Sequence, residues 1–254
     1  MTSYLIVLIY LFVLGCCFGS FLNVVIYRLP LHKSLVTGRS SCTSCGTQIK
    51  AYDLVPVLSY LFLRGKCRNC KAHISIRYVL VEVTMGLLCV GTVWMKGFTF
   101  LSACWCIYGA ILIVISLIDW DTMLIPDPLN VAILIGAIPI CLLANDLTIL
   151  ERLIGFFIIS IPLFLFTLVI NGAFGGGDIK FMAVSGLLLG PYNIAVAFFI
   201  AVLFGGFYAI YLLFIRKVGR KGHMPFGPFL CFGCYMSLLF GEAIIKWYIQ
   251  FLII

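Results

Sequence analysis

The sequence predicts an all-α, polytopic integral membrane protein of about eight transmembrane helices, with a small cysteine-bearing loop domain between helices 1 and 2. Three observations predict it. Hydrophobic residues make up 63% of the 254, charged residues 10%, and mean hydropathy is +1.19, which leaves too little polar surface for a water-soluble globule. Apolar runs near the roughly 20 residues needed to cross about 30 Å of hydrocarbon recur along the chain. One long polar and basic stretch, 28–77, interrupts them early.

Taken in order, the predicted spans are 4–26, 78–95, 99–118, 128–144, 153–171, 179–190, 192–215 and 228–250. The first is apolar and N-terminal, so it is tested as a cleavable signal. It lacks a basic n-region, and Asn23 and Tyr27-Arg28-Leu-Pro30 follow it in place of a small-x-small cleavage site, so it stays as a span. The sixth is short and ends at Gly186, Gly190 and Pro191, which leaves a full span and a re-entrant piece both open. The chain thus divides into a first membrane helix (1–27), a basic loop (28–77) and a membrane-embedded core of about seven helices (78–254).

Orientation follows from the Lys and Arg positions. Nine of the seventeen lie in 28–77, four in Arg216–Lys221, and Lys180 adds one more; with eight spans these fourteen fall on one side, opposite Lys96, Arg152 and Lys246. Positive loops face the cytoplasm, so the loop domain is expected there and both termini outside. The same rule accounts for the basic charge of 28–77, where no base-stacking aromatic pattern accompanies it, so nucleic acid is not an expected partner and the bilayer is.

Within that loop, Cys42-Thr-Ser-Cys45 and Cys67-Arg-Asn-Cys70 spell C-x2-C-x21-C-x2-C. Two such hairpins can offer four thiolates tetrahedrally to one Zn²⁺, and Gly46 suits the turn. A loop of about fifty residues with few apolar side chains cannot bury a core, which gives a structural zinc its physical role. Cytoplasmic placement argues against disulfides, and labile redox thiols are the alternative to zinc. Cys231-Phe-Gly-Cys234 has the same spelling but sits alone in an apolar span; with Cys16, Cys17, Cys89, Cys104, Cys106 and Cys141 it reads as membrane core.

Two carboxylates stand at the ends of apolar runs. Asp119 closes 111–118, and Asp178 follows Gly175-Gly-Gly177, whose glycines could adopt backbone conformations closed to other residues and bring Asp178 close to a partner helix. Ionisable groups at the membrane edge are functional hypotheses by default. Brought together in a partly dry site, two carboxylates share one proton. The charged one can activate water against a peptide carbonyl while the protonated one supports the oxyanion and later protonates the leaving amine. Asp121, Asp127, Asp146 and Glu151 read as helix-end or ion-pairing groups, with Asp127 capping amides beside Pro126. Asn23 reads as a bond to a neighbouring helix. Glu82 reads as a partner of Arg77, and Lys180 as a support for Asp178 or a snorkelling cation.

These motifs resemble the bacterial type IV prepilin peptidases. The matching segments are Gly19-Ser-Phe-Leu-Asn-Val-Val-Ile-Tyr-Arg-Leu-Pro30, the four cysteines, Ile74-Ser-Ile-Arg77-Tyr78 with Glu82, Asp119 with Ile125-Pro126-Asp127, Gly175-Gly-Gly-Asp178-Ile-Lys180 and Pro225-Phe-Gly-Pro228. They run in order over nearly the whole chain. The resemblance implies an aspartic endopeptidase of the cell inner membrane with Asp119 and Asp178 as its catalytic pair. It would cut the basic leader of prepilins or pseudopilins after a glycine at the cytoplasmic face. It also implies S-adenosylmethionine-dependent N-methylation of the new N-terminal residue, with a contribution to methyl transfer as the second reading of Glu82. Thr43 and Ser44 stand where the family often has proline after the first cysteine, a change that leaves the thiolates intact.

Rival classes fare worse. A small transporter or channel would share the spans and mouth carboxylates but gives no reason for the cysteine loop and usually shows internal repeats. A zinc metalloprotease lacks its H-E-x-x-H, with only His32, His73 and His223 present, and a zinc site closed by four cysteines has no position open to substrate.

Overall fold

A computed structural model describes residues 2–144, 146–170, 174–214 and 224–253. Its helices are α1 (Thr2–Arg28), α2 (Leu58–Phe62), α3 (Arg77–Lys96), α4 (Phe100–Thr122), α5 (Asp127–Leu143), α6 (Ile149–Val169), α7 (Gly176–Phe214) and α8 (Gly227–Ile253), with a 3-10 turn at Ala51–Leu54. Among the described residues, extended structure is confined to two isolated bridges, Ser41 to Gln48 and Lys66 to His73. The fold is all-α and multi-pass, as the apolar runs require.

Among the described residues, six helices are long and apolar enough to span a membrane, and α5, at 17 residues, is shorter. The sixth and seventh expected spans both lie within α7. Thirty-nine residues of straight helix would measure about 58 Å, nearly twice the hydrocarbon thickness. Gly190, at φ 76° and ψ 174°, breaks α7 just before Pro191, so the two expected runs are separated there by a non-helical residue. The basic cluster Arg216–Lys221 lies outside the described residues.

The chain forms two compact units, Met1–Phe98 and Thr99–Ile254. In the first, α1 packs on α3 through glycines. A Cβ on Gly15 would stand 2.7 Å from the Gly86 Cα, and one on Gly19 2.6 Å from the Glu82 Cα. Gly15 and Gly19 form a small-x3-small ridge that lets two backbones approach in lipid. Asn23 meets its expectation, donating from Nδ2 to the Tyr78 carbonyl at the head of α3 (3.0 Å). Glu82 is buried and accepts from the Val57 amide at 2.8 Å, a bond with no local signal in the sequence, which fastens the loop to α3.

In the second unit α7 packs against α5, α6 and α8, and α4 against α5 and α8. Where α6 crosses α7, a Cβ on Gly155 would run into the Gly186 carbonyl, and one on Gly186 into the Gly155 carbonyl. Backbone cannot yield there as a side chain can. Gly155→Leu is therefore expected to cost about 3 kcal/mol or more, at or beyond the upper end of ordinary overpacking, read as a lower unfolding temperature in detergent. An unchanged unfolding temperature would contradict the crossing.

The helix ends bear out most of the bland carboxylate readings. Thr148 and Glu151 form a capping box at the start of α6, with Glu151 accepting from the Thr148 amide at 2.7 Å and Thr148 Oγ1 from the Glu151 amide at 3.2 Å. Asp146 pairs with the buried Arg152 at 3.6 Å. That guanidinium also donates to the carbonyls of Ala144 and Leu187, placing a cation on helix C-terminal oxygens. Asp127 caps no amide and follows its other reading, as an ion-pairing group. Its two oxygens accept from Lys180 Nζ at 2.8 and 3.0 Å. Lys180 thus neither supports Asp178 nor snorkels alone.

Candidate active site and metal centre

Asp119 lies in the last turn of α4, just before Met123 ends the helix in the left-handed conformation at φ 55°. Asp178 is the third residue of α7. Both are buried, at 5% and 9% exposure, on helices hydrophobic enough to span a membrane. Asp178 lies within electrostatic range of Asp119. The fold thereby joins two carboxylates 59 residues apart in the chain, a pairing that spacing alone could not supply.

The first turn of α8 completes the group. The Gly227 amide donates to Asp119 Oδ2 at 2.8 Å, a buried bond between residues 108 apart. A helix N-terminus presents free amides and partial positive charge, which suits a carboxylate. Gly227 must lack a side chain, since its Cβ would sit 2.7 Å from that same oxygen. The Pro225-Phe-Gly-Pro228 motif was legible, but its role as a hydrogen-bond donor to the pair was not. Gly227→Ala is expected to push Asp119 off its donor and lower any activity of the pair about 100-fold, in line with losing one preorganised donor, while leaving the protein folded. Activity close to that of the native chain would refute that role.

The Gly175–Gly177 run works differently from expectation. None of the three has positive φ. Gly177 is needed for space, because its Cβ would come 2.9 Å from the Ile125 Cβ, so α7 abuts the Ile125-Pro126 segment closely. The Gly175 amide turns back to Asp178 Oδ2 at 3.3 Å. Cys231, one turn into α8, is buried and within electrostatic range of both aspartates.

In the first unit, Cys42, Cys45, Cys67 and Cys70 bring their sulfurs within 4.8 Å of one another, and this group could hold a metal ion. The two hairpins repeat each other. Cys42 and Cys67 amides donate to the Thr47 and Ala72 carbonyls (2.9 and 2.8 Å), and Gly46 and Lys71 amides donate back to the Cys42 and Cys67 carbonyls (2.9 and 3.0 Å). Gly46 (φ 71°) and Lys71 (φ 61°) occupy equivalent left-handed turns, the first as expected. Cys42 and Cys70 sulfurs are 3.8 Å apart. A tetrahedron with arms of about 2.3 Å has edges of about 3.8 Å, so the spacing fits four thiolates around Zn²⁺.

Local bonds prepare the thiols. The Thr47 hydroxyl and amide draw Cys45 down to about 6, and the Cys70 and Asn69 amides lower Cys67. At Cys70 the Ala72 amide favours the thiolate, but desolvation and the other three thiols outweigh it and push the group up to about 11. Four thiolates at neutral pH therefore call for a divalent cation among them. Beside the tetrad, Arg68 grips Asp53 through Nε and Nη2 at 2.6 to 3.2 Å and lies 5.2 Å over the Tyr52 ring. The Arg68 hydrogen bonds hold the Asp53 carboxyl below its usual range. A depressed folded pKa contributes stability above the unfolded value of about 3.9 that is lost as pH falls through the folded one. Asp53→Asn should thus weaken the loop modestly at neutral pH and match the native chain in acid, as followed by tyrosine circular dichroism.

These features define a class: a multi-pass helical membrane protein with a buried carboxylate pair and a separate four-thiol centre. Residues 13–96 match the bacterial peptidase A24 N-terminal domain, and residues 106–210 match the type IV leader peptidase family. The chain is 33% identical over 244 residues to the prepilin leader peptidase/N-methyltransferase of Bacillus subtilis (strain 168), covering 94% of this chain and 97% of that one. It is 33% identical over 269 residues to the protein of the same name from Aeromonas hydrophila and 32% identical over 266 residues to that from Pseudomonas aeruginosa. Each of those matches covers 94% of this chain and 92% of the relative. No solved structure matches. The chain belongs to the type IV leader peptidase family.

Proposed function

We propose that this protein is a membrane aspartic endopeptidase that removes the basic leader of type IV prepilins or pseudopilins after a glycine, then N-methylates the new N-terminus. The observation that carries the peptidase reading is the buried pairing of Asp119 and Asp178. One carboxylate stays ionised and accepts a proton from water as the water oxygen attacks the scissile carbonyl. The other, protonated, hydrogen-bonds the developing oxyanion and gives its proton to the leaving amine, so the peptide bond breaks and the pair again holds one proton. The Gly227 amide on Asp119 favours that residue as the ionised partner.

The distribution of basic residues supports placing the loop, both aspartates and the scissile bond at the cytoplasmic face of the cell membrane, with both termini outside. A precursor whose apolar helix stays in the bilayer and whose basic leader stays in the cytoplasm presents its cleavage site at that level. The same reading divides the chain into a first helix (1–27), a cytoplasmic zinc loop (28–77) and a peptidase core (78–254). Cys42, Cys45, Cys67 and Cys70 would hold structural Zn²⁺, which orders a loop too polar to fold by burial. S-adenosylmethionine would supply the methyl group as an electrophile. This activity rests on family membership, and transfer of labelled methyl to the processed substrate by the purified protein tests it. For the peptidase, a co-expressed precursor should be cut by the native chain, and unshifted precursor on a gel would overturn the reading in favour of a transporter or channel.

A further inference from the structure

Two features of the second unit have no part in the carboxylate chemistry. The first is an open groove of about 560 Å³ between α5, α6 and α7. Phe157 and Phe164 of α6 and Ala183 of α7 belong to its apolar walls, and Asn130, Asp127 and Lys180 form its polar end. Asp127 and Lys180 neutralise each other at 2.8 Å. Asn130 is only 6% exposed, yet neither Nδ2 nor Oδ1 has a hydrogen-bond partner. A buried primary amide with both halves unpaired is costly to keep, so the groove suits a group that donates and accepts at that point.

The second feature is the start of α7. Of its glycines only Gly177 is required by packing. A Cβ on Gly176 would meet nothing within 4 Å, one on Gly175 only the Asp178 carboxylate, and neither has positive φ. Asn130 is the fourth residue of α5 and Asp178 the third of α7, so both lie in the opening turns of their helices. Successive helical residues turn by about 100°, so Lys180 and Ala183 face away from Asp178. The way from the groove to Asp178 crosses the first turn of α7, where Gly175 and Gly176 are exposed and bear no side chain.

We propose that the groove docks the precursor's own chain, an inference that rests on the peptidase reading. The apolar segment lies against α5, α6 and α7, a peptide group bonds both halves of the Asn130 amide, and the chain passes over Gly175–Gly176 so that the scissile bond reaches the carboxylates. Bare glycine backbone permits that close passage. A peptide group supplies N–H and C=O together, whereas the ester region of a glycerolipid supplies acceptors alone and would leave Oδ1 unpaired. The neutralised Lys180–Asp127 pair offers no surplus charge to an anionic headgroup.

The test uses the full chain in lipid vesicles with a full-length precursor and with a short leader peptide that lacks the apolar segment. Asn130→Leu removes an unpaired amide, so it should fold at least as well as the native chain. It is expected to lower kcat/KM for the precursor about tenfold, mostly through KM, and to leave the short peptide unaffected. In a second arm, benzoylphenylalanine in place of Ala183, in the Asp178→Asn background, should crosslink to the precursor. Unchanged cleavage of the precursor by Asn130→Leu, or crosslinks to phospholipid only, would overturn the proposal. If the native chain cleaves neither substrate, the peptidase reading fails by itself, and the crosslink arm still decides whether the groove holds the peptide.

Discussion

Asp119→Asn and Asp178→Asn are each expected to lose cleavage by at least about 10³-fold, and the double variant to lose no more than the worse single one. Each substitution keeps shape and removes an ionisable oxygen, so it abolishes either the base that takes the proton from water or the acid that returns one to the amine. Groups that act as a unit are strongly non-additive, because the second deletion removes something already useless. The Gly227 amide adds a discriminating detail. It donates to Asp119 Oδ2, so Asp119→Asn places an amide where a carboxylate is preferred. Cleavage of a purified precursor in vesicles, with membrane insertion checked separately, measures this. Either variant retaining a substantial share of native activity would remove that residue from the mechanism, and multiplicative losses in the double would break the pair into independent residues.

Removing the zinc proposed at the four thiols should have the next largest effect, confined to the first unit. Structural zinc sites contribute about 10–16 kcal/mol in small domains, and the described residues of the Cys42–Cys70 loop are largely exposed and bury little apolar surface of their own. Cys67→Ser is expected to abolish stoichiometric zinc, measured by metal analysis of the purified protein, and to render the Arg64–Lys71 region sensitive to protease. Strong chelation of the native chain should do the same reversibly. A Cys67→Ser protein that keeps stoichiometric zinc, or resists protease as the native chain does, would refute a structural tetrad. Lys71→Gly works in the opposite direction. A left-handed non-glycine residue costs about 1 kcal/mol, so relieving it should raise zinc affinity about fivefold.

The parts legible in the sequence are those governed by local constraints. A run such as 100–118 had to be a membrane helix because no other structure satisfies its backbone in lipid. The two C-x2-C hairpins were legible because thiolate spacing and the following turn lie within a few residues of each other. Even here the second hairpin places Lys71 where Gly46 showed the rule, so propensity alone would have missed it. The isolated Cys231-x2-Cys234 was kept out of the metal set on its apolar surroundings, but its nearness to the carboxylates had no local signal. The Glu82 bond to a loop amide 25 residues away had no local signal either. Asp127 is an ion-pairing group, as one of its readings had it, but the Lys180 partner 53 residues away was expected at Asp178.

By itself, then, the sequence determined where the chain crosses the membrane, which loop carries the thiols, and which two carboxylates stand at helix ends, because hydropathy, thiol spacing and helix termination act over one or two turns. Only the tertiary structure decided that Asp119 comes within electrostatic range of Asp178 and takes the Gly227 amide, that Gly15, Gly19, Gly155 and Gly186 are close crossings, and that Asn130 lines a groove with its amide unpaired. Those depend on which helix faces pack together, a choice made by van der Waals fit between apolar surfaces that look alike along the chain.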